Sequence, residues 1–247
     1  MEQLIIDINS DLGEGMPNDI AIMPLISSCN IACGGHAGNE YTMKHTINLA
    51  LENHVKIGAH PSYPDPENFG RLPMEIELHL LEESLLNQIQ LLEKLLGQAG
   101  EKLHHIKPHG ALYNQAAVDK KIASIIIKIM KENFGDTFLY APYGSVTAQL
   151  AKKEKINLKY EVFADRNYND DLTLVNRKEP NAVLHDAKAV KEHLLLMIQK
   201  QLVKTVTGNL KLIEADTVCV HGDNPEALAL TSAIHNMLSK PITDLGE

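Results

Sequence analysis

The chain alternates short apolar runs with segments of helical periodicity. Seven apolar runs recur, and most of them end in a polar or glycine-rich cluster. They cover residues 4–8, 26–33, 55–59, 103–107, 137–141, 159–163 and 216–220. Runs of this length that are rich in β-branched residues are typical of buried strands. We therefore predict seven strands, the first of which ends at Ile8.

Apolar residues spaced by three and four positions lie between most of these runs and predict helices. The longest pattern covers residues 78–96 and can end at Gly97 or Gly100. Residues 18–25 leave room only for a short helix interrupted by Pro24. Residues able to cap a helix precede the other patterns, at Asn39, Asp119, Asp186 and Asn224-Pro225.

Strands that alternate with helices are usually parallel strands joined by helical crossovers. Two segments depart from this alternation: residues 170–183 predict an extended excursion, and residues 202–213 predict a hairpin around Gly208-Asn209. The seven units predict an α/β fold, a seven-stranded parallel βα barrel that forms a single domain over residues 1–247. A doubly wound open sheet is the alternative. In both architectures the carboxyl ends of the strands share one face, where the functional site is expected.

The amino-acid composition of the chain argues against some classes of binding partner. The chain has 23 Lys and Arg against 32 Asp and Glu, a net charge of −9, which argues against nucleic-acid binding. No apolar run is long enough for a membrane span, and no signal peptide is recognisable, so we expect a cytoplasmic protein without a membrane partner. Cys29, Cys33 and Cys219 fit neither a redox pair nor a zinc ribbon and are predicted to be buried thiols.

Histidines and carboxylates gather directly after the predicted strands. The histidines are His36, His60, His109 and His221. The acidic residues are Asp11, Glu14, Asp65, Asp165 and Asp223, of which Asp11 and Glu14 share one small loop. Histidine and carboxylate are the usual partners in acid–base catalysis and in metal binding. We predict that Asp11, His36, His60 and His109 line one pocket.

Lys107 stands between two of the histidines on the fourth run. Because His105, Lys107 and His109 alternate, an extended backbone places them on one face. Lys107 is either a catalytic cation or a strand-end lysine paired with an acid, and both interpretations stay open. Three glycines precede a helix and can bind an anion through backbone N–H groups, namely Gly34, Gly35 and Gly38.

Two common site motifs are missing from the sequence. Neither HExxH nor GxxxxGK[ST] occurs, so a zinc site would combine distant residues, and ATP would not be held by a Walker-type loop. The histidines away from the strand ends are predicted to lie on the surface: His45, His54, His79, His185, His193 and His235. His104 should face away from its neighbour His105.

Eight short stretches follow one another along the chain between residues 7 and 223. They are DINSDLGEG, NIACGGHAG, IGAHPSYPD, FGR, HIKPHGALYN, EVFADRNY, TLVNR and ADTVCVHGD. Each stretch is short, but the ordered set covers nearly the whole chain. In this order the stretches resemble the LamB/YcsF family.

The resemblance implies a barrel similar to that of the polysaccharide deacetylases. It also implies ATP-dependent opening of 5-oxoproline (pyroglutamate) to L-glutamate, with magnesium accompanying ATP and with separate B and C subunits as partners. A five-membered lactam is a stable amide, so coupling its hydrolysis to ATP is chemically sensible. Phosphorylation of the lactam oxygen would make the ring carbon electrophilic. Self-association of the chain stays open.

The strand-end residues would then divide the chemistry among them. Acid–base groups would come from His109, His221 and Asp165. A positive group for an oxyanion or a phosphate would come from Lys107 and Arg166. The three glycines would supply an anion cradle.

Two alternatives belong to other functional classes. The first is a metal-dependent deacetylase or amidohydrolase on a carbohydrate or small amide, with Asp11, His36 and His60 as ligands of a divalent metal. That fold usually carries a His-x-x-x-His pair, and the only such spacing here, between His105 and His109, lies on a predicted strand across Pro108. The second alternative is a scaffold protein without catalytic activity.

Overall fold

Seven parallel strands close into a barrel. The computed structural model describes residues 6–221 and 226–238. In their order around the barrel, the strands are β1 (Asp7–Leu12), β2 (Ser28–Ala32), β3 (Lys56–His60), β4 (His105–Ile106), β5 (Phe138–Pro142), β6 (Leu158–Phe163) and β9 (Thr217–Cys219). The closed, all-parallel sheet confirms the predicted barrel and excludes the open doubly wound alternative.

Helices connect the strands and cover the outside of the barrel. They are α1 (Asp19–Ile22), α2 (Glu40–Glu52), α3 (Leu78–Gln98), α4 (Gly110–Val118), α5 (Lys120–Asn133), α6 (Val146–Lys153), α7 (Ala187–Lys200) and α8 (Ala227–Leu238). A 3₁₀ turn at Met23–Leu25 follows α1, as Pro24 suggested. The predicted hairpin is present as the antiparallel pair β7 (Leu202–Lys204) and β8 (Leu210–Leu212). Within the described residues, no helix combines the length and the apolar character needed to cross a membrane.

Polar side chains begin three of the helices at the predicted positions. Asn39 Oδ1 accepts from the backbone N–H groups of Tyr41 and Thr42, which satisfies donors left free by the first turn of α2. Asp119 and Asp186 accept in the same way at the starts of α5 and α7. The predicted cap at Asn224-Pro225 lies outside the described residues.

The first strand differs from its prediction. It runs over Asp7–Leu12 rather than ending at Ile8, while Leu4 and Ile5 lie outside the described residues. The reason is that the barrel interior is polar. Asp7 Oδ2 accepts hydrogen bonds there from Ser28 Oγ at 2.6 Å and Thr217 Oγ1 at 2.7 Å. Asn9 and Asp11, which looked like the end of the strand, therefore belong to its inner face.

Two helices were not predicted. Helix α4 follows His109 directly, where the sequence indicates only a strand-end cluster from Pro108 to Asn114. Helix α6 follows Ser145, whose Oγ accepts from the Ala148 N–H at 3.1 Å. Both are short, with nine and eight residues, so their apolar periodicity is weak in the sequence. The apolar core lies between the helices and the outer face of the barrel, for example around Leu12 and Leu85.

Candidate active site

The carboxyl ends of β1, β3 and β4 bring an acid, an imidazole and an ammonium group together. Asp11 lies in β1, His60 is the last residue of β3, and Lys107 follows β4. Asp11 Oδ1 accepts from Lys107 Nζ at 2.8 Å, and Asp11 Oδ2 lies 3.3 Å from His60 Nε2. All three side chains are buried. Because the strands are parallel and in register, residues distant in sequence meet at this face.

Lys107 lies at the centre of this arrangement. Its Nζ is 3.0 Å from Glu161 Oε1 and 3.1 Å from Cys219 Sγ, in addition to the bond to Asp11. Burial alone would lower the pKa of Lys107, but the Asp11 carboxylate and its other neighbours raise that pKa well above its usual value. Lys107 is therefore a fixed cation that joins two buried carboxylates.

Asp11 is held as an anion by its surroundings. Burial would raise the pKa of Asp11, but His60 and Lys107 outweigh burial and keep that pKa well below its usual range. The Asn30 Nδ2 group also donates to Asp11 Oδ1 at 2.7 Å. Asn30 Oδ1 lies 2.6 Å from His105 Nε2, so a chain of hydrogen bonds runs from the barrel interior to Asp11.

Four side chains, which we term the His–Glu group, lie beside this centre: Glu14, His36, His60 and His109. Each side chain offers one atom that can ligate a metal, and these four atoms all lie within 4.8 Å of one another, so the group could hold a metal ion. His36 Nε2 is 2.9 Å from Glu14 Oε1, and His60 Nε2 is 2.9 Å from His109 Nδ1. The sequence grouped Asp11 with His36 and His60 as metal candidates. The structure instead places Asp11 in a second potential group with Cys219 and His221.

The rings of His36 and His109 are fixed by packing. They stack with parallel planes and a centroid distance of 3.6 Å, and Phe69 meets both rings edge-on. Gly70 follows Phe69 with a φ of +61°, and a Cβ there would lie 2.9 Å from His36 Cβ. Burial lowers the pKa of His36 and holds the pKa of His109 well below its usual value.

The remaining predicted site residues lie across the barrel mouth. His221 Nδ1 is 3.0 Å from Asp165 Oδ1, and its ring stacks on Phe163. Arg166 donates from Nη2 to the Val175 carbonyl and from Nε to the Ala182 carbonyl. These two bonds hold the excursion of residues 170–183, and contact of Arg166 with a phosphate stays a prediction. Asp223 lies outside the described residues.

The segment after β2 contains Gly34, Gly35 and Gly38, and its packing and backbone conformation account for glycine at these positions. The Gly34 N–H donates to the Ala37 carbonyl at 2.8 Å. A Cβ on Gly35 would overlap Gln88 and Ser62, and a Cβ on Gly38 would lie 2.7 Å from the Ala32 carbonyl oxygen. Close packing therefore explains Gly35 and Gly38, and Gly34 has a positive φ of +92°. The use of the three glycines as an anion cradle stays a prediction. Asp65, also singled out in the sequence, accepts from Asn68 and closes a local turn.

The sequence model of the LamB/YcsF family matches residues 6–245 of the chain. The chain belongs to the LamB/YcsF family. The resemblance drawn from the eight sequence stretches is thereby confirmed.

Relatives within the LamB/YcsF family match over nearly the full length. Proteins named as the A subunit of 5-oxoprolinase, from Haemophilus influenzae strains PittEE and PittGG, are each 41% identical to the chain over 235 residues. These matches cover 95% of this chain and 96% of each relative. The crystal structure of a lactam utilization protein from Thermus thermophilus superposes with a TM-score of 0.88 at 32% identity. That superposition covers 95% of this chain and 96% of the other.

Sequence reasoning on this LamB/YcsF chain missed several residues of the site. Glu161 is fully buried in the sixth strand beside Lys107, and Asn9 and Asn30 bond to each other in the barrel. The sequence did carry a signal for these residues. A charged or amide side chain stands inside an otherwise apolar run, at a position whose alternation places it inside the barrel. Tyr113 of α4 was also missed. Its hydroxyl is buried and has no hydrogen-bond partner among the described residues.

The surface assignments were partly wrong. His45, His54, His79 and His185 are exposed, as predicted. His193 is instead half-buried, with Nε2 3.0 Å from the Arg166 carbonyl oxygen, and His235 has Nδ1 3.0 Å from the Leu25 carbonyl oxygen. His104 does not turn away from its neighbour, because its Nδ1 lies 2.9 Å from His105 Nδ1.

Proposed function

We propose that this chain is the A subunit of an ATP-dependent 5-oxoprolinase, which opens the lactam of 5-oxoproline to L-glutamate. Support comes from relatives that carry this subunit name and match the chain over 95% of its length. Because a lettered subunit implies further subunits, we propose that the chain works with 5-oxoprolinase subunits B and C.

The observation that carries this proposal is the buried contact of Lys107 with Asp11, beside His60. Lactam hydrolysis needs a base to take a proton from water, a positive group at the carbonyl oxygen and an acid at the ring nitrogen. We assign the role of the base to Asp11, whose Oδ2 lies 3.3 Å from His60 Nε2. Lys107 is the positive group. The His221–Asp165 pair is assigned to proton transfer to the leaving nitrogen.

We place the phosphoryl transfer outside this barrel. The single ammonium group of Lys107 faces the carboxylates of Asp11 and Glu161, and Glu14 adds a third carboxylate at the same face. With three carboxylates against one ammonium group, this face offers a triphosphate no net positive charge to bind to, even with a divalent ion present. We therefore assign ATP and its magnesium to a site formed with the partner subunits, and the hydrolytic step to this chain.

The test is glutamate formation from 5-oxoproline with ATP and magnesium. We expect the chain alone to give no turnover above background, and the chain mixed with subunits B and C to be active. Asp11→Asn in the complete mixture should lower kcat by about a hundredfold or more, because the substitution removes the base but keeps the side-chain shape. Exposed Asp136→Asn is the matched control and should leave kcat unchanged.

Each outcome separates the candidate functions. Robust turnover by the chain alone would overturn the partner requirement, and turnover without ATP would favour a simple amidohydrolase. Full activity of the Asp11→Asn mixture would favour the scaffold alternative.

A further inference from the structure

In two histidines of the His–Glu group, a backbone carbonyl determines which ring nitrogen carries the hydrogen. His60 Nδ1 lies 2.7 Å from the Lys107 carbonyl oxygen. His109 Nε2 lies 2.9 Å from the Phe69 carbonyl oxygen. Because a carbonyl oxygen can only accept, each of these nitrogens carries a hydrogen and donates it. In the neutral rings the lone pairs are therefore on His60 Nε2 and His109 Nδ1.

These two lone pairs face each other. His60 Nε2 and His109 Nδ1 are 2.9 Å apart, which is a hydrogen-bond distance between two atoms that both accept. Two carboxylate oxygens add to the same cluster, since Glu14 Oε1 is 3.5 Å from His109 Nδ1 and Asp11 Oδ2 is 3.3 Å from His60 Nε2. Four acceptors in one buried space need a positive centre among them.

We infer that the His–Glu group binds one divalent transition-metal ion of the zinc class. Metal bonds of about 2.1 Å at angles of about 90° to 110° place neighbouring ligand atoms about 3.0 to 3.4 Å apart. Three separations between ligand atoms in the group are close to that spacing: 2.9 Å between His36 and Glu14, 2.9 Å between His60 and His109, and 3.5 Å between Glu14 and His109. Three imidazoles and one carboxylate favour zinc or a related ion over magnesium or calcium, which prefer oxygen ligands.

The surroundings of two of the three rings fit the same assignment, whereas His36 Nδ1 is buried with no hydrogen-bond partner among the described residues. Ligating histidines commonly donate their second ring N–H to a backbone carbonyl, as His60 and His109 do here. Asp11 is left outside the ligand set, because it does not belong to the four residues whose ligand atoms all lie within 4.8 Å of one another, and its Oδ1 accepts from Lys107 and Asn30. Asp11 then borders the ion and adds negative charge beside it. The competing occupant is a single proton shared by His60 and His109.

The experiment measures metal on the full chain without any activity assay. The purified protein is stripped with a chelator, and Zn²⁺, Co²⁺ and Mg²⁺ are titrated by calorimetry, with the visible spectrum recorded for Co²⁺. The variants are Glu14→Gln, His60→Gln and Asp11→Asn, and exposed His79→Gln is the control. Circular dichroism and thermal unfolding check that each variant is folded.

We expect about one Zn²⁺ per chain, intense visible bands with Co²⁺, and much weaker binding of Mg²⁺. Glu14→Gln and His60→Gln should each weaken Zn²⁺ binding by about tenfold or more, whereas His79→Gln should not change it. Adding Zn²⁺ to the stripped wild-type chain should also raise its Tm.

Three results would overturn the inference. If the folded wild-type chain binds neither Zn²⁺ nor Co²⁺, the site holds no such metal, and His60 and His109 share a proton instead. Tighter binding of Mg²⁺ than of Zn²⁺ would contradict the metal class. Loss of binding in Asp11→Asn but not in Glu14→Gln would contradict the ligand set. Because the readout is metal content, its failure is distinct from failure of the proposed lactam hydrolysis.

Discussion

At the residue scale, Lys107 shares one ammonium group between two buried carboxylates. Asp11 Oδ1 lies 2.8 Å and Glu161 Oε1 lies 3.0 Å from its Nζ. Removing one partner of a buried ion pair leaves an uncompensated charge, which destabilises the fold more than the pair itself stabilises it. Lys107 is therefore needed for the stability of the fold.

Lys107→Met should lower the free energy of unfolding by about 3 kcal/mol, because it leaves Asp11 and Glu161 facing each other without a cation. Adding Glu161→Gln should recover part of that loss, since the substitution removes one of the two buried charges. The measurement is a double-mutant cycle by urea unfolding of Lys107→Met, Glu161→Gln and the double variant. Strictly additive losses would show that Lys107 and Glu161 do not interact.

At the element scale, the neighbouring strands β3 and β4 of the barrel are packed closely at one glycine. Gly58 pairs with His105 in the parallel ladder. A Cβ on Gly58 would overlap the His105 ring, which is fully buried and stacks on Tyr140 with a centroid distance of 4.0 Å. The ring thus occupies the space that a side chain at position 58 would need.

Gly58→Ala should destabilise the chain by about 2 kcal/mol, because the packed His105 ring would have to move. Gly97→Ala is the matched control. Gly97 lies in α3 with nothing within 4 Å of an added Cβ, so the change should stabilise by about 0.5–1 kcal/mol through helix propensity. Urea unfolding of both variants checks the opposite signs, and equal effects would contradict the steric explanation.

At the scale of the whole molecule, buried neutral histidines make the fold sensitive to acid. Burial, together with Lys159 and Lys56, lowers the pKa of His104 to about 4. Burial also lowers the pKa values of His105 and His193. A histidine with a lowered pKa in the native state binds fewer protons than in the unfolded state. Its stabilising contribution is therefore complete above pH of about 6.5 and is lost as the pH falls.

His104→Gln should reduce the loss of stability between pH of about 6.5 and 4, because one of these protonation events is removed. The measurement is the urea midpoint of wild type and variant across that range, with exposed His79→Gln as the control. An unchanged pH profile in His104→Gln would show that His104 does not contribute to acid sensitivity.

The order of elements could be predicted from the sequence because each apolar run and helical pattern is local. The seven strands, the helix starts at Asn39, Asp119 and Asp186, and the hairpin around Gly208 follow from short-range periodicity and capping chemistry. Strand ends could not be placed where the inner face is polar. Asn9 and Asp11 resemble the end of an apolar run, although they continue β1.

The sequence by itself also determined which residues share the carboxyl end of the barrel, because parallel strands bring their ends to one face. His60, Lys107 and His109 are found there. Only the tertiary structure decided how these side chains pair. Ring orientation depends on distant backbone groups, such as the Phe69 carbonyl at His109. The charge state of Lys107 depends first on Asp11 and also on Glu161, which belong to other strands. Those contacts join residues far apart in the chain, so no local pattern specifies them.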